Sequence, residues 1–304
     1  MEFESAVFED ETRRLHYVSM GDHDKPLMLC LHGFPEYWGA WRDIMPHLAR
    51  TFRVVAPDQR GFGRSFKPEG VEAYQTWHLV KDINALADYL SPDEPFVLFG
   101  HDWGSAVAYA YAFGRPERLR ALVVANGVHP HTFQKAIIDD PRQRAASQYM
   151  RFLRSEGAAA TMRENDFART LNMIAGFSKA DWMSNEDRKA YLEAWGGDGT
   201  MEAMLNWYRA SPVVVPPVSQ PAEEVAEKVP VYDISPEAMT VRVPHLVVWG
   251  EDDEALRPVC LEGLERFAGD LTVERISGSG HWVLHEQPQR VADAVKQWLS
   301  SRSL

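Results

Sequence analysis

Chemistry in this chain centres on Asp102, in the run Gly100-His101-Asp102-Trp103-Gly104. The run follows the apolar stretch Phe96-Val97-Leu98-Phe99 and precedes a helix-like one. Glycines two positions before and after the centre allow a tight strand-to-helix turn, which lifts the central side chain above the sheet edge. The N-terminus of the following helix would stabilise an anion there. The plain alternative is an aspartate that merely caps that helix. A serine at such a turn attacks acyl carbon. A carboxylate can instead displace a leaving group from saturated carbon, forming an ester that water must then hydrolyse. Epoxides and alkyl halides are substrates of that kind.

Hydrolysis of such an ester needs a base, an acid to orient it and donors for the oxyanion. His281 lies in the small-residue loop Gly278-Ser279-Gly280-His281-Trp282 near the C-terminus and is the candidate base. In Trp249-Gly250-Glu251-Asp252-Asp253 either aspartate could orient it, the other being solvated loop charge. The Gly-x-x-Asp spacing favours Asp253. Asn126, after another strand, cannot supply a negative charge. In His32-Gly33-Phe34-Pro35 the backbone N–H of Phe34 would join that of Trp103 as an oxyanion hole; alone, the segment could be a plain Gly-Pro turn. No metal site is expected. His129-Pro130-His131 lacks a nearby third ligand, and His281 and His285 lack the intervening glutamate of zinc proteases. No glycine-rich phosphate loop occurs, so no cofactor is expected.

These side chains need a frame. Short apolar runs at 27–31, 52–56, 96–99 and 122–125 read as buried strands, with helix-like stretches at 77–90 and 106–113 between them. That alternation predicts an α/β fold, with a mostly parallel sheet covered by helices on both faces. From 129 to about 208 the pattern is helical. The Pro-rich passage Ser211-Pro212-Val213-Val214-Val215-Pro216-Pro217 reads as extended. Strands resume at 245–250 and 271–276, and a helix at 290–299 closes the chain. The expected organisation is a core of residues 1–128 and 235–304 interrupted by a helical cap of 129–234.

Over 304 residues, 32 Lys and Arg stand against 44 Asp and Glu, a net charge of −12. That balance disfavours nucleic acid and gives no support for a membrane surface as partner. No apolar run approaches the ~18 residues of a membrane span, and Met1-Glu2-Phe3-Glu4-Ser5 does not read as a secretory signal. Two cysteines make no disulfide scaffold, so a cytoplasmic protein is expected.

His32-Gly33-Phe34-Pro35-Glu36-Tyr37-Trp38, Asp58-Gln59-Arg60-Gly61-Phe62-Gly63-Arg64-Ser65, Gly100-His101-Asp102-Trp103-Gly104, Gly250-Glu251-Asp252-Asp253 and Gly280-His281-Trp282 together resemble the α/β-hydrolase superfamily, in its epoxide hydrolase branch. The resemblance implies Asp102 as nucleophile, Asp253 and His281 as its partners, and a small epoxide as substrate. It also implies two cap tyrosines that protonate the opening epoxide. Leu205-Asn206-Trp207-Tyr208-Arg209 resembles the segment carrying one and Ser147-Gln148-Tyr149-Met150-Arg151-Phe152 the segment carrying the other. Tyr208 and Tyr149 are therefore the expected donors, although a helical tyrosine can also be simple packing. Phe34, Trp103, Phe152 and Trp207 are the expected pocket aromatics.

The same core motifs serve dehalogenases, and the differences lie in single residues. Fluoroacetate dehalogenases carry an arginine after the nucleophile, where this chain has Trp103, and a halide-binding His-Trp pair where it has Tyr149-Met150. One group of haloalkane dehalogenases has asparagine after His-Gly, where Phe34 stands. A haloalkane dehalogenase using Trp103 as halide donor and a non-catalytic ligand-binding protein of the same fold are the rival readings.

Overall fold

The computed structural model describes residues 2–302 apart from 222 and 227. Eight strands form one sheet: β1 (Glu4–Glu9), β2 (Arg14–Met20), β3 (Leu27–Leu31), β4 (Arg53–Pro57), β5 (Phe96–His101), β6 (Leu119–Ala125), β7 (His245–Gly250) and β8 (Leu271–Ile276). Their order is β1-β2-β4-β3-β5-β6-β7-β8. The six strands from β3 to β8 run parallel, whereas β2 is antiparallel to both β1 and β4. The helices that matter to the site are α1 (Thr76–Leu90), α2 (Trp103–Gly114), α3 (Pro130–Asp139), α4 (Pro141–Ala146), α5 (Tyr149–Arg154), α6 (Ala158–Gly176), α7 (Asn185–Trp195), α8 (Thr200–Ala210) and α9 (Pro288–Ser301).

The expected α/β fold with a mostly parallel sheet is the one found. Side chains alternate across each strand, so the central strands feed two cores. Leu29, Leu31, Leu98, Val124 and Val247 join Leu79, Ile83 and Leu86 of α1 and Val107 and Ala108 of α2 on one face. Met28, Cys30, Val97, Phe99, Val123 and Val248 meet Val291, Val295, Trp298 and Leu299 of α9 on the other. Both faces are covered, which is why these strands read as unbroken apolar runs. The antiparallel pair at the sheet's start carries no such run. His16 and Ser19 interrupt the buried positions of β2. His16 is kept there by Asp58, whose Oδ2 lies 2.8 Å from its Nδ1, and by Ser5, whose Oγ lies 2.9 Å from its Nε2.

Helices α3 to α8 fill the chain between β6 and β7, so the insert between strands is helical from 130 to 210. Within α6 the backbone leaves helical geometry at Glu164–Phe167, with Asn165, Asp166 and Phe167 at positive φ, so this range is two helical pieces joined by a turn. The passage after α8 is extended, as its prolines require. Buried Gln134 of α3 ties it down: Val214 N–H donates to Gln134 Oε1 at 2.8 Å, and Gln134 Nε2 donates to Val214 O at 2.9 Å. Among the described residues no helix is long and apolar enough to cross a membrane.

Two buried histidines brace this frame as neutral rings. His245, at the start of β7, donates from Nδ1 to Leu122 O at 3.1 Å and accepts from the Tyr109 hydroxyl at 2.9 Å. His129, just before α3, donates from Nε2 to Met239 O at 2.9 Å. Burial pushes both down from about 6.5 to about 4. A base with a depressed folded pKa binds fewer protons folded than unfolded between those values. Its stability contribution is therefore present above pH 6.5 and lost as pH falls towards 4. Thermal or urea unfolding between pH 7 and 4.5 should show stability dropping by at most about 1.4 kcal/mol per pH unit for each ring. His245→Gln should remove about one proton equivalent from that slope; an unchanged slope would rule out this role for His245.

Candidate active site

Asp102 sits between the end of β5 and the start of α2 with φ 49° and ψ −121°. Such a backbone is strained for a residue with a Cβ, and the surrounding glycines make room for it. A Cβ on Gly104 would run into Leu31 O, and one on Gly33 into the Asp102 carboxylate. The Asp102 side chain makes no capping bond to α2. Its Oδ1 instead accepts from the Phe34 backbone N–H at 2.8 Å, and its Oδ2 faces His281 Nε2 at 3.6 Å. Helix capping is thus not what the carboxylate does.

On its other side, His281 Nδ1 lies 2.8 Å from Asp253 Oδ2. Of the two neighbouring aspartates, Asp253 is buried and Asp252 exposed. Asp253 Oδ1 accepts from the N–H groups of Ala255 and Leu256, both at 2.8 Å, and Oδ2 accepts from Asn126 Nδ2 at 2.8 Å. Asn126 therefore has a use that its sequence position did not reveal: it holds the Asp253 carboxyl that lies against His281. Burial works against charge on His281, but the Asp253 and Asp102 carboxylates outweigh it and raise the ring to about 10. The ring therefore lies between two carboxyl groups that favour its protonated form.

Behind the elbow, buried His101 faces Glu36 Oε2 with Nδ1 at 3.0 Å and the His281 carbonyl with Nε2 at 2.9 Å. Glu36 Oε1 also accepts from the Tyr191 hydroxyl of α7 at 3.0 Å and lies 2.7 Å from His285 Nε2. Burial alone would raise this carboxyl, yet the His101 and His285 rings hold it well below the usual range. Nothing in the motif around Glu36 predicts these partners. Three segments distant in sequence meet at its carboxylate.

Tyr149 at the start of α5 and Tyr208 near the end of α8 converge over Asp102. Their ring centroids are 6.3 Å apart at 79°, and Tyr208 stands edge-on to Phe34 and to Trp103, each at 5.0 Å. A cavity of about 150 Å³ is lined by Asp102, Trp103, Tyr149, Tyr208, Phe133 and Val213 among others. Burial, then nearby charged or ionisable oxygens including the Asp102 carboxylate, raises both phenols above their usual value.

Two expected pocket aromatics lie elsewhere. Phe152 lies under the Arg169 guanidinium, 4.3 Å from its carbon, and lines neither this cavity nor the smaller one beside it. Three positions apart, Tyr149 and Phe152 share a helix face, yet Phe152 turns to the Arg169 guanidinium and leaves Tyr149 alone at the cavity. Trp207 is buried one layer back, donating from Nε1 to Arg60 O at 2.9 Å and packing on Phe62. Its sequence neighbour Tyr208 takes the inward position. Conversely Ser211, Pro212 and Val213, to which no role was assigned, form part of the cavity wall.

A sequence profile described as the α/β-hydrolase fold matches residues 26–288. The AB hydrolase superfamily protein YfhM of Bacillus subtilis (strain 168) is 35% identical over 291 residues, covering 95% of each chain. Epoxide hydrolase 1 of Caenorhabditis elegans is 31% identical over 294 residues, 94% of this chain and 68% of that one. A solved structure described as a novel epoxide hydrolase of the α/β-hydrolase superfamily, from metagenomes of hot environments, shares 38% identity with a TM-score of 0.88. It covers 98% of this chain and 99% of its own. The chain belongs to the α/β-hydrolase family, in its epoxide hydrolase group.

In this α/β-hydrolase the approach of Gly33 to the Asp102 carboxylate leaves no space for a methyl group. Gly33→Ala should push the carboxylate out of reach of the Phe34 N–H and His281. A displacement of about 1 Å at a reacting group costs on the order of 100-fold. Hydrolytic turnover should fall by about that factor while circular dichroism stays native. Wild-type turnover in the folded variant would show that the close packing at Gly33 does not set the position of the Asp102 carboxylate.

Proposed function

We propose that the protein hydrolyses an epoxide to a vicinal diol through an Asp102 ester, with residues 129–234 acting as a cap over a core of 1–128 and 235–304. The observation that carries this reading is the presence of two phenols, Tyr149 and Tyr208, lining the same cavity as the Asp102 carboxylate. An opening epoxide leaves as an alkoxide and needs a proton, whereas a departing halide needs none. A phenol pushed above its ordinary pKa of about 10 by burial beside an anion stays protonated at neutral pH and can supply that proton.

Asp102 attacks one epoxide carbon, the C–O bond breaks and a tyrosine gives its proton to the oxygen. Esterification removes the charge of Asp102, one of the two anions that hold the His281 proton. The ring's pKa then falls, and its proton returns to the tyrosinate. Neutral His281, held by Asp253, takes a proton from water, and the resulting hydroxide attacks the Asp102 ester carbonyl. The Phe34 and Trp103 N–H groups stabilise that oxyanion. Collapse of the intermediate releases the second diol oxygen, which is protonated as Asp102 returns to its carboxylate. His281 is again the imidazolium. Every step uses groups of the chain, water and the substrate.

Purified protein should therefore form diol from styrene oxide and release no bromide from 1-bromobutane. Tyr149→Phe or Tyr208→Phe alone should slow epoxide opening on the order of 10- to 1000-fold, by analogy with loss of one oxyanion donor. The double variant should come close to abolishing it with native circular dichroism. Bromide release without diol formation would move the protein to the dehalogenases. A folded double variant with near wild-type rate would remove the tyrosines from the mechanism.

The second step has its own test. His281→Gln should still be alkylated but stall as the ester, because deacylation loses its general base. Intact-mass spectrometry after incubation with substrate should show the protein plus one substrate mass. A folded variant that binds substrate yet accumulates no adduct would mean that His281 already acts in the first step.

A further inference from the structure

The nucleophile stands at the junction of two unequal spaces. Asp102, Tyr149 and Tyr208 line both. The larger space, about 150 Å³, runs away from the site between α2, α3 and the extended segment after α8. Its wall is apolar, with Phe113, Val128, Phe133 and Val213, and Asp102 is the one charged group among its lining residues. The smaller space, about 10 Å³, lies on the His281 side under Met173, Phe177, Ala255 and Trp282. That is on the order of the room one water needs. Met173 sits in the last turns of α6, and Phe177 follows it, with its ring 5.8 Å from Tyr149 and 6.3 Å from His281.

An epoxide bound for attack spans this junction. Its oxygen meets the tyrosines and its carbons lie before Asp102. A substituent directed into the large space is accommodated. A substituent on the other carbon, trans to the first, points the opposite way into a space already matched to a water beside the histidine. We propose, building on the epoxide hydrolase reading above, that this protein selects neutral apolar epoxides whose substituents project to one side. Terminal and cis-1,2-disubstituted epoxides are accepted and trans-1,2-disubstituted ones rejected, with Met173 and Phe177 as the residues that close the second side. The large space carries no cation to receive an anionic substituent, and Asp102 would repel one.

Styrene oxide, cis-β-methylstyrene oxide and trans-β-methylstyrene oxide make the test, because the last two contain the same atoms and differ only in where the methyl group points. Diol formation should give kcat/KM for the trans isomer about 10- to 200-fold below that for the cis isomer, the range a single misplaced methyl commands. Met173→Ala should bring the two isomers about 10-fold closer by raising activity on the trans isomer. If the alanine variant loses its native circular dichroism, Met173→Val should shift the ratio in the same direction by less. Equal efficiency on cis and trans isomers in the wild type would overturn the proposal and leave the epoxide hydrolase reading standing. An unchanged ratio in a folded Met173 variant would remove Met173 from it. Absence of diol from all three epoxides would overturn the hydrolase reading, and this one with it.

Discussion

The strained backbone at Asp102 is the constraint on which the site depends. Holding a residue with a Cβ at φ 49° costs on the order of 1–3 kcal/mol. The turn persists because its surroundings leave no alternative. A Cβ on Gly104 would strike the end of β3, and one on Gly100 would lie 2.7 Å from Gly104 O and from Ser105 Cα. The elbow and the β3 loop thus pack backbone to backbone. That contact brings the Phe34 N–H within 2.8 Å of the carboxylate. The same turn leaves Asp102 without a capping bond to its own helix, so its oxygens stay free for the Phe34 N–H, His281 and the cavity. Strain, the placed Phe34 N–H and the freed carboxylate oxygens are one geometric fact.

Charge forms the second layer. Three ionisable groups, Asp102, His281 and Asp253, occupy a small buried volume, and their attraction keeps a proton on a ring that burial alone would strip. A group held in that way is no base, which suits the proposed first step, where only the Asp102 anion is needed. In the proposed reaction alkylation would consume that anion and so convert His281 to a base for the second step. Asp253 would keep the ring oriented through both. Its two N–H donors and Asn126 fix it on the β7 loop, independent of what happens at Asp102.

The core strands and the elbow turn at Asp102 were legible because their signals are local. A buried parallel strand shows as an apolar run, and the elbow shows as glycines flanking a nucleophile after such a run. β1 and β2 were not legible, because β1 buries no side chain fully and β2 carries His16 and Ser19 among its buried positions. Glu36 illustrates a different limit. Its meaning lies in His101, Tyr191 and His285, which sit 65, 155 and 249 residues away in sequence. Nothing in a linear pattern marks such a meeting point.

The helical insert was the least legible region, and the reason is its helical geometry. Consecutive helix positions differ by about 100° in direction, so one residue of error moves a side chain from the cavity to the layer behind it. Trp207 and Tyr208 are adjacent and both buried, yet Tyr208 faces the Asp102 cavity while the Trp207 indole reaches back to Arg60 O. Aromatic content alone could not separate them. What separates them is the packing of α8 against the core, where Trp207 fits beside Phe62 and Tyr208 fits between Phe34 and Trp103. The loop that holds Phe34 and the elbow that holds Trp103 therefore also set the orientation of Tyr208 above them. The Asp102 carboxylate, the Phe34 N–H and the Tyr208 phenol meet in one neighbourhood, so the core that strains Asp102 into place also aligns the helical insert over it.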